Sequence, residues 1–584
     1  MLEQVNLSAP KMTKEEYKPL HDELIQKLVV LQQEARRKNV GLVVLFEGWS
    51  GAGKGSRISD LMYELDARAT SVHVTEDIDV KAAFKFAGSD WGVTGFAPLM
   101  SEFWKVLGER GTITFYDRGW YTTAAEQALV EVASNKPAVM KKLVKQAKSQ
   151  PIAEIGAAKA RRELHGDVVS AYQRIAHDFE MMLVDDGYVV VKLFVHVSKK
   201  AQRKRLESLR NNPKTSWRVS EDKLAHAQYY DKAYEVYDQL LEGSNFAFAP
   251  WILVNGEDRR IANVQVAQAL VDAIEHALAI GPDAAEEEAK RKAAENSARA
   301  ATIAEGGAEE DAPSDADAIR IAAEAEAATQ HALAPRGSGS IIMAGHPHID
   351  HSKPKPVLGS DEEYKTMLKD EQRKLRELEM EMYQKRIPLI LMYEGWDAAG
   401  KGGNIKRVAQ ALDARAYTIF PSPAPTKPEL MHPHLWRYWM RLPKAGHVGI
   451  YDRSWYGRVL VERVEGFATP EQWSRAYEEI NSFERQLIQW GAILLKFWVD
   501  ITPEEQLRRF EARQQDPTKT WKITDEDWRN RDKYPQYKMA VDDMFRLTST
   551  TYAPWIVLES DDKQYARIQA LRAINEALEA RMHK

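Results

Sequence analysis

The sequence contains no cysteine among its 584 residues, which excludes a disulfide framework, thiolate chemistry and metal sites built on sulfur. It also lacks a run of about 18 apolar residues, the length that a membrane-spanning helix needs. Its N-terminus shows no basic-then-apolar secretion signal. Positive charge is not in excess, since the formal net charge is −5 at pH 7, so no global field attracts nucleic acid. We therefore expect a cytoplasmic protein that binds neither membranes nor nucleic acid.

One glycine-rich stretch occurs twice in the chain. Residues 47–56 read EGWSGAGKGS, and residues 394–403 read EGWDAAGKGG. Later motifs recur in the same order, with YDRGWY matching YDRSWY and APWI present in both halves. Ordered matches at so long a spacing indicate two homologous globular domains and exclude a solenoid, whose repeats are much shorter.

The composition suggests where the two domains end. We predict an N-terminal domain over residues 1–280, with a helical insertion at about 134–166 that has no counterpart in the second copy. Residues 281–354 are rich in Ala and Glu, then in Gly, Ser and Pro, and such a composition cannot bury a core. We interpret this stretch as a linker, and residues 355–584 as the C-terminal domain.

The repeated stretch has the surroundings of a phosphate-binding loop. In the second copy an apolar strand is predicted over 387–393 and a helix over 404–412. The turn between them fits Gly-x-x-x-x-Gly-Lys, in which backbone N–H groups and a helix N-terminus hold an anion while Lys401 adds a full charge; a glycine-rich turn without a ligand is the alternative. The Ser or Thr that normally follows the lysine and holds Mg²⁺ is missing here, so we assign that ligand to Asp397. The loop residues predicted to bind phosphate are Gly395, Ala398, Ala399, Gly400, Gly402 and Gly403.

The alternation of strands and helices in both copies predicts the fold class. We expect an α/β protein with two tandem P-loop kinase-like domains, each a parallel sheet flanked by helices with a helical lid. Ligands of such sheets collect at the carboxyl ends of the strands, where both Asp397 and Asp452 fall. Two carboxylates at that edge suit Mg²⁺, which prefers carboxylate and phosphate oxygens. Arg453 is placed to contact a transferring phosphoryl group. The alternatives are a helix N-cap for Asp452 and a salt bridge between Asp452 and Arg453.

A basic cluster follows a later predicted strand. Arg508, Arg509 and Arg513 lie on one predicted helix together with several glutamates, and an Asp-Pro turn separates this helix from Lys522. Basic residues beside a hinge indicate a lid that closes over phosphate, so these four residues are our predicted contacts to the donor. A solvated helix face of mixed charge is the alternative.

The acceptor side is predicted from residues 432–439, which read HPHLWRYW. Trp436 is suited to stacking on a base, and Arg437 to gripping a phosphate with two parallel hydrogen bonds. Packing in the core is the alternative for two of the three aromatic residues. Because a nucleotide phosphate is mostly ionised at neutral pH, the reaction needs no strong general base, and the lack of a placed catalytic histidine is no objection to phosphoryl transfer.

In this order the motifs of the second copy resemble the polyphosphate kinase type 2 family. The resemblance rests on EGWDxxGKGG, YDRSWY, VERVEGF and DPxKxWK, and it covers nearly all of residues 355–584. The duplicated layout is similar to the two-domain members that act on AMP. The resemblance implies a P-loop kinase fold with a lid, reversible transfer of the terminal phosphate of inorganic polyphosphate to AMP to give ADP, and Mg²⁺ as cofactor with Mn²⁺ as a substitute. It also implies catalytic roles for Asp397, Lys401, Asp452 and Arg453, metal binding by Asp397 and Asp452, and nucleotide binding by Trp436, Arg437, Tyr456, Arg458 and Glu462.

The first copy departs from this pattern. Ser50 stands where the second copy has Asp397, and Glu102 stands where it has Arg437. Thr123 and Gln127 likewise replace charged residues of the predicted acceptor site. We therefore expect a degenerate copy that serves stability, assembly or polyphosphate binding. Its remaining site consists of Ser50, Lys54, Asp117 and Arg118.

Other functions fit parts of the pattern. An ATP-dependent nucleotide kinase would share the fold, as would a polyphosphate kinase that acts on ADP or GDP. A non-catalytic regulator that binds nucleotide or polyphosphate would suit the first copy alone, but the intact second copy argues against it. The residues alone leave the preferred base and the formation of a homo-oligomer open.

Overall fold

The computed structural model describes residues 1–75, 98–122, 125, 168–219, 227, 230–280, 343–352, 355–516, 523 and 525–582. These residues form two compact units, each built on its own parallel sheet flanked by helices. The predicted α/β class with two tandem domains is therefore confirmed, while the predicted domain boundaries stay a prediction. The predicted insertion at 134–166, linker residues 281–342, Thr123, Gln127 and Lys522 lie outside the described residues.

The first unit alternates strands and helices along the chain. Its elements are α1 (Lys14–Arg37), β1 (Gly41–Gly48), α2 (Lys54–Glu64), β2 (Thr70–Val74), α3 (Leu99–Val106), β3 (Ile113–Asp117), α4 (Val168–Asp185), β4 (Tyr188–His196), α5 (Lys199–Asn211), α6 (Tyr230–Gly243), β5 (Trp251–Asn255) and α7 (Arg259–Ile280).

The described residues of the second unit repeat this order of strands. Its elements are α8 (Asp361–Gln384), β6 (Leu389–Gly395), α9 (Lys401–Ala409), β7 (Tyr417–Pro421), α10 (Lys427–Leu430), α11 (Trp436–Trp439), β8 (Val448–Asp452), α12 (Val461–Val464), α13 (Pro470–Gln489), β9 (Ile493–Asp500), α14 (Pro503–Gln515), α15 (Asp525–Asp532), α16 (Tyr534–Thr548), β10 (Trp555–Glu559) and α17 (Lys563–Met582).

The two sheets have the same strand order. In the first unit it is β2-β3-β1-β4-β5, and in the second it is β7-β8-β6-β9-β10. The central strand β6 is buried almost throughout, as its continuous apolar run predicts for a parallel strand that is covered on both faces. Its residue Tyr393 pairs with Asp452 at the end of β8. The chain leaves β6 for the outer strand β7 and returns through β8, so the carboxyl ends of β6 and β8 flank a crevice at a topological switch point.

Three local features differ from the sequence-based expectations. The edge strand β2 was not predicted, because its residues are mostly polar or exposed and carry no apolar periodicity. Helix α9 begins at Lys401 rather than at residue 404, directly after Gly400 in a left-handed conformation. The end of the predicted linker packs against the second unit, since Ile349 is buried and Ala344 N–H donates to the carbonyl of Ser549. Among the described helices, none is both long and apolar enough to cross a membrane.

Candidate active site

The loop between β6 and α9 has the backbone of a phosphate cradle. Gly395 ends the strand at φ +147°, and a Cβ atom there would lie 2.3 Å from the carbonyl oxygen of Val499. Gly400 has φ +113° and stands immediately before the first turn of α9. Both glycines are needed because L side chains rarely adopt such φ values. The turn therefore aims the N-terminus of α9 at the crevice, as an anion site requires.

Lys401 lies over this loop. Its Nζ donates to the carbonyl oxygens of Gly395 at 2.6 Å and of Trp396 at 3.1 Å. An ammonium group has three donors, so the third is available to a phosphate oxygen. Burial lowers the pKa of Lys401, and the neighbouring carboxylates, first among them Asp397, oppose this shift.

The carboxylate of Asp397 is held between two donors. Its Oδ1 accepts from Arg453 Nη2 at 3.2 Å, and its Oδ2 accepts from Asn530 Nδ2 at 2.9 Å. Burial alone would raise the pKa of Asp397, but the charges of Lys401 and Arg453 and the bond from Asn530 outweigh it and lower that pKa. Asp397 is therefore an ionised group at the edge of the loop.

Arg453 and Asp452 follow each other at the end of β8. The N–H of Arg453 donates to the carbonyl of Tyr393 at 3.1 Å, and its φ is +61°, a conformation uncommon outside glycine. Its Nη2 forms an ion pair with Asp397 Oδ1 at 3.2 Å. The N-cap alternative for Asp452 is wrong, because Ser454 caps the 3₁₀ turn Trp455–Arg458.

A cavity opens beside these residues, and two of the five predicted nucleotide contacts line it. Asp397, Arg453, Arg437 and Glu462 all line it. Arg437 is buried, and its Nη1 donates to the carbonyl of Pro423 at 3.0 Å. Its Nε lies 3.4 Å from Glu429 Oε1 in a buried ion pair, and its Nη2 is buried without a hydrogen-bond partner among the described residues. The unmet Nη2 donor favours an anionic ligand, because a buried donor without a partner is costly.

Three of the predicted nucleotide contacts do not line this cavity as the structure describes it. Tyr456 is completely buried, and its hydroxyl donates to Glu484 Oε1 at 2.8 Å, so its predicted contact is wrong in this arrangement. Arg458 pairs with Glu462 at 3.2 Å and is absent from the lining. Trp436 is half-buried and is also absent from the lining.

The second half of the YDRSWY motif instead belongs to the core. Lys496 Nζ donates to Glu484 Oε2 at 2.8 Å, and Trp455 Nε1 donates to Glu484 Oε1 at 3.0 Å. The first unit repeats this arrangement around Glu180, which accepts from Lys192, Tyr121 and Trp120. A buried ion pair with its hydrogen bonds satisfied in both copies explains why the motif recurs even where the loop carboxylate is lost.

The basic cluster of α14 has different roles from those predicted. Arg509 is buried, and its Nη1 donates to the carbonyls of Ala398 at 3.0 Å and Ala399 at 2.9 Å. It also donates to Glu505 and to two carbonyls that follow β10. The predicted phosphate contact of Arg509 is therefore wrong here, because its donors hold the back of the loop. Arg508 is 67% exposed and paired with Glu505, Arg513 is half-buried, and Lys522 lies outside the described residues.

Sequence reasoning missed three residues at this site. Glu394 is buried and accepts from both the N–H and the hydroxyl of Ser454 at 2.7 Å, which ties the ends of β6 and β8 together. Burial raises the pKa of Glu394. Its presence in both copies, as Glu47 and Glu394, was an available signal. Gln506, which contacts the backbone of Asp397, gave the same signal, because it recurs as Gln202. Asn530, which contacts the side chain of Asp397, gave none, because His226 stands at its position in the first copy.

The first unit keeps the loop but not its acid. Lys54 Nζ donates to the carbonyls of Gly48 at 2.8 Å and Trp49 at 3.2 Å, as Lys401 does in the second copy. Glu102, at the position of Arg437, lies 3.0 Å from His73 Nε2. Ser50, Lys54, Asp117 and Arg118 line one open cavity, so the predicted degenerate site is brought together.

Comparisons with known proteins agree with this geometry. The family model Polyphosphate kinase 2 (PPK2) matches residues 11–149, 165–280 and 359–584. The chain is 34% identical to the polyphosphate:AMP phosphotransferase of Pseudomonas aeruginosa PAO1, over 97% of this chain and 95% of that protein. It is 32% identical to the polyphosphate:AMP phosphotransferase of Pseudomonas syringae pv. tomato, over 96% of this chain and 94% of that protein. A crystal structure from Pseudomonas aeruginosa PA01, assigned to polyphosphate kinase 2, superposes with a TM-score of 0.70 at 30% identity, covering 98% of this chain and 97% of that one. The chain therefore belongs to the polyphosphate kinase 2 family.

Proposed function

We propose that the C-terminal copy transfers the terminal phosphate of inorganic polyphosphate to AMP and so forms ADP, and that the reaction is reversible. The observation that carries this proposal is that Asp397 and Arg453, with Lys401 beside them, meet in a cavity that Arg437 also lines with an unmet Nη2 donor. Phosphoryl transfer needs such positive charge around the moving group, together with alignment of the two partners. The names of the full-length relatives support AMP as acceptor and polyphosphate as donor.

A divalent metal ion, Mg²⁺ in our proposal and Mn²⁺ as a substitute, fits the donor set of this site. Asp397 is ionised, since its pKa is lowered, and Asp452 is close enough to act on the charge of Lys401. Mg²⁺ is usually bound by one or two carboxylates and completed by substrate phosphates and water, which matches two carboxylates beside a phosphate loop. When bound, the ion supplies neutralising charge to the phosphate oxygens.

The side chains of the loop then have distinct roles. Lys401 binds the phosphate next to the reacting group, since its third donor is directed away from the loop carbonyls. Arg453 contacts the transferring phosphoryl group, and its ion pair with Asp397 keeps both groups in place until substrate arrives. Asp397 orients and binds metal rather than acting as a base, because the accepting phosphate of AMP is already ionised at neutral pH.

The acceptor phosphate binds at Arg437. Its Nη2 offers a charge-assisted hydrogen bond to a phosphate oxygen, while its Nε pairs with Glu429. The cavity joins Arg437 to Arg453. Glu462 also lines this cavity and is our proposed contact to the nucleoside, with Arg458 behind it. A stacking role for Trp436 requires the side chain to move toward the cavity.

The N-terminal copy is proposed to be inactive. It lacks the loop carboxylate, since Ser50 replaces Asp397, and Glu102 puts a negative charge where Arg437 holds the acceptor. The retained loop lysine Lys54 and Arg118 still line a cavity, so this copy serves stability, assembly or polyphosphate binding. Arg508 and Arg513 of α14 are proposed to contact the polyphosphate donor.

The test is a comparison of phosphate donors. Purified full-length protein is incubated with AMP, Mg²⁺ and either polyphosphate or ATP, and formation of ADP is followed under initial-rate conditions. When ATP is the donor, its γ-phosphate carries an isotope label. Transfer to AMP then gives labelled ADP, whereas hydrolysis of ATP by a contaminating activity gives unlabelled ADP. We expect kcat/KM for polyphosphate to exceed that for ATP. Equal or better turnover with ATP would reject the proposed donor and favour an ATP-dependent nucleotide kinase.

A further inference from the structure

Asp397 is held not only by its own loop but also by two helices that follow β9. Asn530 on α15 donates from Nδ2 to Asp397 Oδ2 at 2.9 Å. Gln506 on α14 donates from Nε2 to the backbone carbonyl of Asp397 at 3.1 Å. The side chain and the backbone of this residue are therefore fixed from two separate directions.

The two helices are themselves linked behind these contacts. Arg531, next to Asn530, donates from Nη1 to Gln506 Oε1 at 3.0 Å and to the carbonyl of Pro503 at 2.8 Å. Tyr537 donates from its hydroxyl to Asn530 Oδ1 at 3.3 Å. This second bond determines the amide orientation, because the carbonyl end faces Tyr537 and leaves the NH₂ end facing the carboxylate. The contacts form a closed chain from Asp397 through both helices and back to Asp397.

The first copy provides a natural comparison for this arrangement. Gln202 keeps the backbone contact, donating from Nε2 to the carbonyl of Ser50 at 3.2 Å. The residues at the same distance along the chain as Asn530 and Arg531 are His226 and Ala227. Ala227 has no guanidinium, and Gln202 Oε1 is buried without a hydrogen-bond partner among the described residues. The first copy therefore lacks the loop carboxylate and also lacks counterparts of Asn530 and Arg531, but it keeps the glutamine contact to the loop backbone.

We propose that Asn530 and Arg531 are positioning residues for the reaction, which orient the carboxylate of Asp397 and couple its orientation to the seating of α15 on the phosphate loop. This inference rests on the proposed role of Asp397. Asn530 occupies Oδ2, so Oδ1 is the oxygen that faces Arg453 and the crevice. Groups that orient a metal-binding carboxylate in this way are typically needed for about 10–100-fold of activity or metal affinity.

The test uses two variants that lose the donor, Asn530→Leu, which keeps the size of the side chain, and Asn530→Ser, which is too short to reach the carboxylate. The control is Arg529→Ala on the same helix, since Arg529 is half exposed and pairs only loosely with Glu465, at 3.6 Å. Each full-length variant is checked by circular dichroism and thermal unfolding. The kinetic parameters kcat and KM with polyphosphate and AMP are then measured. Binding of Mn²⁺ in the presence of AMP, without polyphosphate, is measured by electron paramagnetic resonance.

We expect both Asn530 variants to lose about 10–100-fold in kcat, with a smaller change in KM for AMP and weaker Mn²⁺ binding. Arg529→Ala should retain the parent values. A folded Asn530 variant with kcat and Mn²⁺ affinity within twofold of the parent would overturn the inference. The variant Asp397→Asn separates this result from a failure of the proposed function. If Asp397→Asn is inactive while Asn530→Leu is active, only the positioning role of Asn530 is rejected. If Asp397→Asn is active, the proposed role of Asp397 in the reaction is rejected.

Discussion

The two loop lysines allow one substitution to be made in matched surroundings. Lys401 and Lys54 each stand at the first position of a helix and donate to two loop carbonyls, at 2.6 and 3.1 Å in one copy and at 2.8 and 3.2 Å in the other. Replacing either lysine with alanine therefore removes the same pair of hydrogen bonds from a charged donor. The cost in unfolding free energy should be about 1–3 kcal/mol in each case, and similar for both variants.

The two substitutions should differ in their effect on catalysis. Lys401 is surrounded by the charges of Asp397, Arg453, Glu394 and Asp452, whereas the first copy has Ser50 in place of the loop carboxylate. Removing one preorganised electrostatic group from an active site typically costs about 10²–10³ in kcat, or about 3–4 kcal/mol. We expect kcat of Lys401→Ala to fall by at least this factor. Lys54→Ala should keep most of the activity, with any loss arising through stability or polyphosphate capture.

The assay compares initial rates of ADP formation from polyphosphate and AMP at saturating substrate. Thermal unfolding of both variants is recorded in the same buffer, so that rates are compared at equal folded fraction. Asp397→Asn in the same series should also nearly abolish turnover, and Ser50→Asp should not create a second active site because Glu102 would still oppose the acceptor. If Lys401→Ala and Lys54→Ala lose activity equally at matched folding, both copies contribute and the assignment of catalysis to the C-terminal copy is wrong.

Two further predictions concern stability. Arg509→Met removes a buried guanidinium that holds the backbone of the phosphate loop, so the unfolding free energy should fall by about 2–4 kcal/mol. Arg508→Ala, at the exposed neighbouring position, should change it by less than about 0.5 kcal/mol. Equal shifts in calorimetric Tm would contradict the structural role of Arg509. Burial raises the pKa of Glu47 to about 7 from 4.5, so the folded state retains a proton that the unfolded state releases in this window, and stability falls as pH rises through it. Glu47→Gln should remove up to about 3 kcal/mol of that loss, which a flatter dependence of Tm on pH between about 5 and 8 would reveal; parallel curves for variant and parent would refute it.

The sequence by itself determined the parts of this protein that depend on local pattern. The duplication, the strand–loop–helix units and the places of Asp397 and Asp452 at strand ends all follow from residues that are close together in the chain. The turn that contains Gly395 and Gly400 can be predicted from its glycines alone, because the positive φ values that glycine permits are a property of a short segment. The edge strand β2 escaped because an exposed polar strand has no apolar periodicity to mark it.

Only the tertiary structure decided which side chain meets which partner. Arg509 reads as a phosphate ligand by its charge, yet the packing of α14 against the loop commits its donors to backbone carbonyls. Tyr456 belongs to a nucleotide-binding motif by resemblance, yet it is enclosed with a buried ion pair. Asn530 reaches Asp397 across 133 residues of chain, a contact that no local pattern announces. The physical reason is the same in all three cases: residue type sets what a side chain can bind, but the approach of segments far apart in sequence sets what lies within its reach.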